Sequence, residues 1–233
     1  VETSLDELSK QFGDGRTDLV EDLIGLGVKA DGDILGVPLV VHCAYYGDVS
    51  ALRLALRHGA RLEQLGHDYG LMGASFHGHW QLCQFLLENG ANANVRDAET
   101  GETPLHSALC TANRTRHDRV LQVLLSFGAD PKVATIPGVE TGGFMRDVRT
   151  RGETPLHRAA AFGTLYSIDL LIRAGADIEA RDVNGDSPLS WASWYLRPAE
   201  ILRPLCFGGF RIRPDYKGMD ENLAGYVVPR PRE

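Results

Sequence analysis

At 233 residues, with 43% apolar and 24% charged side chains, the chain has material for a well-buried core and none of the compositional bias of a disordered one. Its formal charge of −7 argues against a general nucleic-acid binder, which needs a concentrated basic face. No apolar run approaches the roughly 18 to 20 residues of a membrane span, and the opening residues Val1, Glu2, Thr3 and Ser4 have neither basic nor apolar leader character. Cys43, Cys83, Cys110 and Cys206 stand far apart without a C-x-x-C pair, the pattern of buried thiols in a reducing compartment, so a cytoplasmic, non-secreted protein is expected. Charge is spread unevenly: residues 1–33 hold nine carboxylates against three basic groups, whereas residues 111–160 hold eight basic groups against five acidic ones.

Taken in chain order, the sequence reads as about six helix-turn-helix units, near 4–33, 34–66, 67–97, 98–148, 149–182 and 183–208. The first opens on a charged helix (residues 5–10) suited to a solvent-facing end. The second and third keep the punctuation of the later units with looser turns. Residues 101–106 and 152–157 are the identical string Gly-Glu-Thr-Pro-Leu-His, and residues 185–190 are a relaxed copy, Gly-Asp-Ser-Pro-Leu-Ser. Gly27, Gly59, Gly90, Gly128, Gly175 and Gly208 mark the ends of second helices, where a residue past the helix commonly needs φ > 0. Twelve positions before most of them stand Gly15, Gly47, Gly78 and Gly163, between the two helices; the sixth unit has Leu196 there instead, then Arg197-Pro198, and Pro204 inside its second helix, which is expected to bend it. Threonine suits the cap of the first helix, and proline suits its first turn, where the missing N–H is no loss. Residues 209–233 form a tail expected to pack partly on the last unit.

The Gly-x-Thr-Pro-Leu-His turns and the Gly-Ala-Asp loops at 128–130 and 175–177 resemble the ankyrin repeat family. The resemblance implies an all-α solenoid, residues 1–208 forming one repeat domain, whose units share a continuous core and whose role is to bind another protein. It also implies a concave groove lined by turn tips and by the two residues before each inter-helix glycine. Those pairs are Tyr45-Tyr46, Phe76-His77, Cys110-Thr111, Ala161-Phe162 and Trp194-Tyr195, four of five carrying an aromatic ring although aromatics are 8% of the chain. Contiguous rings of this kind bury large area at small entropic cost in interfaces.

A long insertion departs from the repeat. Gly128 to Gly152 spans 24 positions against 10 from Gly175 to Gly185, and the added stretch, 132–151, is basic and carries Phe144 and Met145. It is expected to be a mobile partner contact, cleaved first by proteases over 133–149. With Arg149, Arg151 and Arg158 as a basic rim, the expected partner is an acidic or extended protein segment, bound by a monomer without cofactor, membrane or nucleic acid.

Catalytic chemistry finds little support. His106 and His157 belong to the turn and are expected to tie adjacent loops. His77, His79 and Cys83 in the third unit are the basis of an alternative metal-binding or enzymatic reading, but they make a poor donor set. No phosphate-cradling glycine loop and no Gly-x-Ser-x-Gly is present. Residues 202–206 resemble the start of a ubiquitin-ligase adaptor box, against which stand Pro204 and the lack of a following Leu-Pro. A further alternative is a regulatory ankyrin portion of a larger protein.

Overall fold

The computed structural model describes residues 4–110, 115–141 and 149–206, so Phe144, Gly208 and the tail 209–233 lie outside the described residues. Its helices run in consecutive pairs: α1 (Leu5–Gly13) with α2 (Val20–Gly25), α3 (Leu39–Tyr45) with α4 (Val49–Arg57), α5 (Leu71–His77) with α6 (Trp80–Glu88), α7 (Pro104–Ala108) with α8 (Thr115–Ser126), α9 (Pro155–Phe162) with α10 (Leu165–Arg173), and α11 (Pro188–Trp194) with α12 (Ala199–Leu205). A short antiparallel hairpin, β1 (Asp33–Ile34) and β2 (Val37–Pro38), leads into the second pair, with Ile34 opposite Val37.

The helices stack in two layers. Each second helix packs on the next, from α2 through α4, α6, α8 and α10 to α12, while α3, α5, α7, α9 and α11 form the first-helix layer. Pairs of helices of 5 to 12 residues bury too little to stand alone, and here one uninterrupted apolar cluster runs from Phe12 to Leu205. Ala55, Ala74, Ala108, Ala159 and Ala160 let neighbouring helices approach closely within that cluster.

The turn motif works as a latch between units. In copy four, His106 Nδ1 accepts the backbone N–H of Thr103 at 3.2 Å and lies 2.9 Å from its hydroxyl. Because a backbone N–H can only donate, Nδ1 carries no proton, and Nε2–H is left to donate to the Glu153 carbonyl, 3.2 Å away in the next unit. His157 repeats the arrangement with Thr154 and the Asp186 carbonyl. Threonine therefore caps α7 and α9 through histidine. Burial holds His106 well below, and His157 below, the ordinary histidine range.

Over its described residues, the stretch expected to be a mobile loop is a built arm. Thr135 N–H donates to the Glu153 carbonyl at 3.0 Å, Ile136 N–H to Thr100 at 2.7 Å, Gly138 N–H to Thr150 at 2.7 Å, and Thr150 N–H to Val139 at 2.8 Å. Glu140 and Arg149 pair across an antiparallel bridge. Thr135, Thr141 and Thr150 are buried, the β-branched residue type that favours extended backbone and carries a hydroxyl able to satisfy itself inside. At Thr135, Ile136, Gly138, Val139 and Thr150 the backbone is thus hydrogen-bonded, where a mobile loop is expected from the sequence.

In the sixth pair Leu196 occupies the inter-helix glycine position with a left-handed φ of 52°, and its side chain is 90% exposed. Pro204 falls in the last turn of α12, so the helix ends at Leu205 instead of bending in its middle.

Leu196→Gly is expected to stabilise the fold by about 0.5–1 kcal/mol, since a left-handed L-residue costs roughly 1–2 kcal/mol and the added freedom of glycine in the unfolded chain offsets part of it; a lower urea midpoint would contradict this. The unfolded chain protonates its histidines below about pH 6.5 whereas His106 and His157 resist protonation in the fold. The stability they confer is therefore full above that pH and lost as pH falls below it, so a urea midpoint flat from pH 7.5 to 5 would show that both imidazoles charge inside the fold. Tryptic cleavage after Arg149 or Arg151, followed by mass spectrometry, should be slow in native protein because both bonds sit in hydrogen-bonded backbone. Rapid cleavage there under native conditions would mean the arm opens freely.

Candidate partner-binding face

The first helices end inside the stack, and a helix leaves its last carbonyls without internal donors. Each joint resolves this with a side chain from the following unit. Tyr46 donates its hydroxyl to the Gly13 carbonyl at 2.9 Å, His79 Nε2 lies 3.0 Å from the Tyr45 carbonyl, and His117 Nε2 lies 2.9 Å from that of Phe76. Arg158 donates from Nη1 to the His106 carbonyl at 3.2 Å, and Arg197 from Nη1 to that of Ala161 at 2.8 Å. Two of these side chains lie over the preceding inter-helix glycine: a Cβ on Gly15 would stand 3.0 Å from the Tyr46 ring, and one on Gly47 would stand 2.6 Å from the His79 ring.

These hydrogen bonds and the packing around them divide the predicted aromatic stripe. Tyr45 is 59% exposed and Trp194 73% exposed, so both rings are available to a partner. Tyr46 is 39% exposed but serves the joint with unit one. Tyr45 meets Tyr46 edge-on, with ring centroids 5.1 Å apart and planes at 90°, and meets His77 edge-on at 5.2 Å. Half-buried Phe76 touches His77 and packs against a small inner cluster of Cys110, Ala161, Phe162 and Trp191. Phe162 is buried there, with Tyr195 edge-on to it at 4.7 Å. Phe162 is accordingly a core residue, and the stripe is open at its two ends and closed in its middle.

The middle is closed by charge as well. Arg158 was expected on a basic rim, but its side chain is 0% exposed, with Nη2 2.5 Å from Glu102 Oε1 and 2.6 Å from Glu153 Oε1. Thr141 of the arm donates its hydroxyl to Glu102 at 2.9 Å, and Thr135 donates to Glu153 at 2.8 Å. A buried ion is tolerated only when paired and hydrogen-bonded, and these groups satisfy one another. Burial alone would push Glu153 up, yet the Arg158 guanidinium, the Arg151 N–H and the Thr135 hydroxyl bring it below the usual carboxylate range. All residues from 100 to 110 and from 153 to 163 are buried. Arg158 therefore cannot meet a partner in this conformation.

The other arginines of the expected rim remain on the surface with contacts of their own. Arg149 donates to the Gly138 carbonyl and pairs with Glu140 at 3.1 Å. The Arg151 guanidinium lies 5.9 Å from the centre of the Trp191 ring, whose N–H donates to Asp182.

His77 and His79 stack at 5.7 Å, but Cys83 lies inside the core beside Ser75. Among the described residues no group of three or more His, Cys, Asp or Glu is placed to hold a metal ion. Burial pushes the thiols of Cys43, Cys83 and Cys110 up to about 12, so they stay protonated at neutral pH. Glu102 and Glu153 escaped the sequence reading. Their only signal was that both copies of the turn string carry glutamate at the same place, with an arginine one residue past the second histidine.

Comparison with known proteins agrees with this architecture. Family models for ankyrin repeats match residues 40–135, as three copies, and residues 151–183. The chain is 27% identical over 203 residues to the ankyrin repeat domain-containing protein SAT10 of Stachybotrys chartarum, covering 83% of this chain and 9% of that protein. It is 26% identical over 181 residues to human inversin, covering 77% and 15% of the two chains. It is also 26% identical over 233 aligned positions to human ankyrin repeat and SOCS box protein 16, covering 86% and 51%. The chain thus spans about half or less of the length of these relatives. Ankyrin repeats are generally protein-interaction modules. With the two matches together spanning more than half of the sequence, on the segments whose helices stack as described, the chain belongs to the ankyrin repeat family.

Proposed function

We propose that this protein is a non-catalytic binding module that holds a segment of a partner protein against the exposed first-helix ends of its second and third units, with Trp194 and Tyr195 of the sixth as a second contact. The observation that carries this reading is the exposure of Tyr45 and Trp194 on helices whose other aromatic neighbours are already packed or hydrogen-bonded. Large rings left open by a structure that tucks away Phe12, Phe162 and Trp191 are the residue types on which binding energy concentrates.

The array itself is read as six repeats with 132–151 inserted between the fourth and fifth. The family models reach neither the first helix pair nor the sixth. Support for counting both comes from their joints: Tyr46 binds the end of α1 and Arg197 the end of α9 as His79 and His117 bind the helices between. Burial of Arg158 and the pairing of Arg149 with Glu140 leave less positive charge for an acidic partner than the sequence suggests, so the arm is read as closing the face and not as recruiting.

Tyr45→Ala and Trp194→Ala should each weaken partner capture by about 2 kcal/mol or more while leaving the urea midpoint unchanged. Tyr46→Ala should differ by lowering stability by about 1 kcal/mol, because it strips the donor from the Gly13 carbonyl. Quantitative affinity purification of each variant beside its unfolding curve checks both. Undiminished capture by the Tyr45 and Trp194 variants would move the binding site off this face.

A further inference from the structure

The open end of the face has a chemistry of its own. Tyr45 and Tyr46 stand with perpendicular rings 5.1 Å apart, and His77 adds a third ring edge-on to Tyr45. The Tyr46 hydroxyl is committed to the Gly13 carbonyl, which brings its ring against unit one immediately beside Asp14. Asp14 is exposed, and among the described residues its carboxylate has neither a hydrogen bond nor an ion pair. Around it the first unit is a source of negative potential: Asp6, Glu21, Asp22, Asp31 and Asp33 are all exposed, and of the described carboxylates in 4–33 Asp18 alone has an ion-pair partner, Arg16.

Within unit one Lys10, Arg16 and Lys29 are outnumbered by carboxylates, and the three arginines expected on a basic rim lie against residues of units four to six. Arg158 is spent between Glu102 and Glu153, Arg149 lies against Glu140, and Arg151 sits near Trp191. An incoming segment therefore meets aromatic faces, whose quadrupoles are negative, next to carboxylates without counter-ions. An acidic segment would be repelled there, and a purely apolar one would leave the carboxylates without a partner.

We propose that the segment bound at units one to three is cationic, presenting an Arg or Lys side chain to the Tyr45 and Tyr46 rings and the Asp14 carboxylate, with apolar neighbours on Phe76 and His77. This rests on the reading of the face given above and reverses the sign of the partner charge expected from sequence. The rings supply cation–π attraction and area, Asp14 supplies the paired charge, and the wider field of unit one speeds encounter and makes it salt-dependent.

The test uses the full 233-residue chain and three fluorescein-labelled peptides of equal length and shared apolar residues, differing only in carrying Arg, Ser or Glu at alternate positions. By fluorescence anisotropy the Arg peptide should bind tightest and the Glu peptide weakest, and the preference for Arg should shrink as salt rises. Tyr45→Ala and Asp14→Asn should each weaken the Arg peptide about threefold to fivefold and leave the Ser peptide less affected by Asp14→Asn. Glu21→Gln, on the helix behind, should change it little. If Arg and Ser peptides bind alike and both depend on Tyr45, the face survives as a binding site and the cationic specificity falls. If Glu21→Gln weakens the Arg peptide as much as Asp14→Asn while Tyr45→Ala does nothing, the attraction is diffuse and the proposed site is wrong. A preference for the Glu peptide, or no measurable binding of the Arg peptide at low salt, overturns the proposal outright.

Discussion

The structure depends on one obligation: the terminal carbonyls of every first helix must find donors after the helix has been buried against its neighbours. A helix of seven or eight residues has a large fraction of its carbonyls in this state. Water can serve them only at the rim. Along this stack the following unit supplies the donor each time, as a phenol, an imidazole or a guanidinium. Because the donor belongs to one unit and the acceptor to the one before, the hydrogen bond exists only when the two are docked. The turn histidines extend the same logic to the other end of the first helices, with one ring nitrogen serving the local cap and the other serving the next turn. Stacking is thereby specified by polar groups at both ends of a layer whose middle is held by alanine and leucine.

The joint between units four and five carries this principle furthest. Its donor is Arg158, and a guanidinium with no solvent contact requires negative partners on the spot. Glu102 and Glu153, from equivalent positions of two successive turns, provide them, and the threonines of the arm complete the hydrogen bonding of those carboxylates. An ensemble of this kind contributes less to net stability than its short distances suggest, because desolvation of three ions offsets most of the attraction. Its consequence lies in specificity of arrangement. With Thr141 on Glu102 and Thr135 on Glu153, the arm has a defined seat, and leaving that seat would strand buried charge.

Seating the arm also decides what is left for recognition. The first helices of units four and five are withdrawn from solvent, and the aromatic side chains that line them become part of an inner cluster. What remains open is an aromatic corner beside the acidic first unit and a tryptophan at the far end. Rings on this face therefore serve two purposes that sequence position does not separate. Tyr45 and Tyr46 are adjacent, yet one is held by a backbone carbonyl and the other stands free of the stack on most of its surface. The electrostatics divide in the same way, since Arg158 is consumed internally while the carboxylates of unit one, Asp18 apart, have no ion-pair partner among the described residues.

The sequence by itself determined the repeat, its period, the helix pairs and the latch histidines, because each rests on local chemistry: glycine where the backbone turns left-handed, proline and threonine at a helix start, small residues where helices touch. It also placed a leucine at the sixth inter-helix turn, where the backbone conformation was kept despite the side chain. Only the tertiary structure decided which aromatic rings are free, that Arg158 is an internal ion and Phe162 a core residue, and that 133–141 is held. Those outcomes depend on partners distant in the chain, 33 positions for Tyr46 with Gly13, 41 for His117 with Phe76 and 52 for Arg158 with His106. A charge count along the chain cannot reveal that two glutamates from different turns converge on one arginine. Convergence is a property of the stack, and it is what turned an expected basic rim into a buried tie.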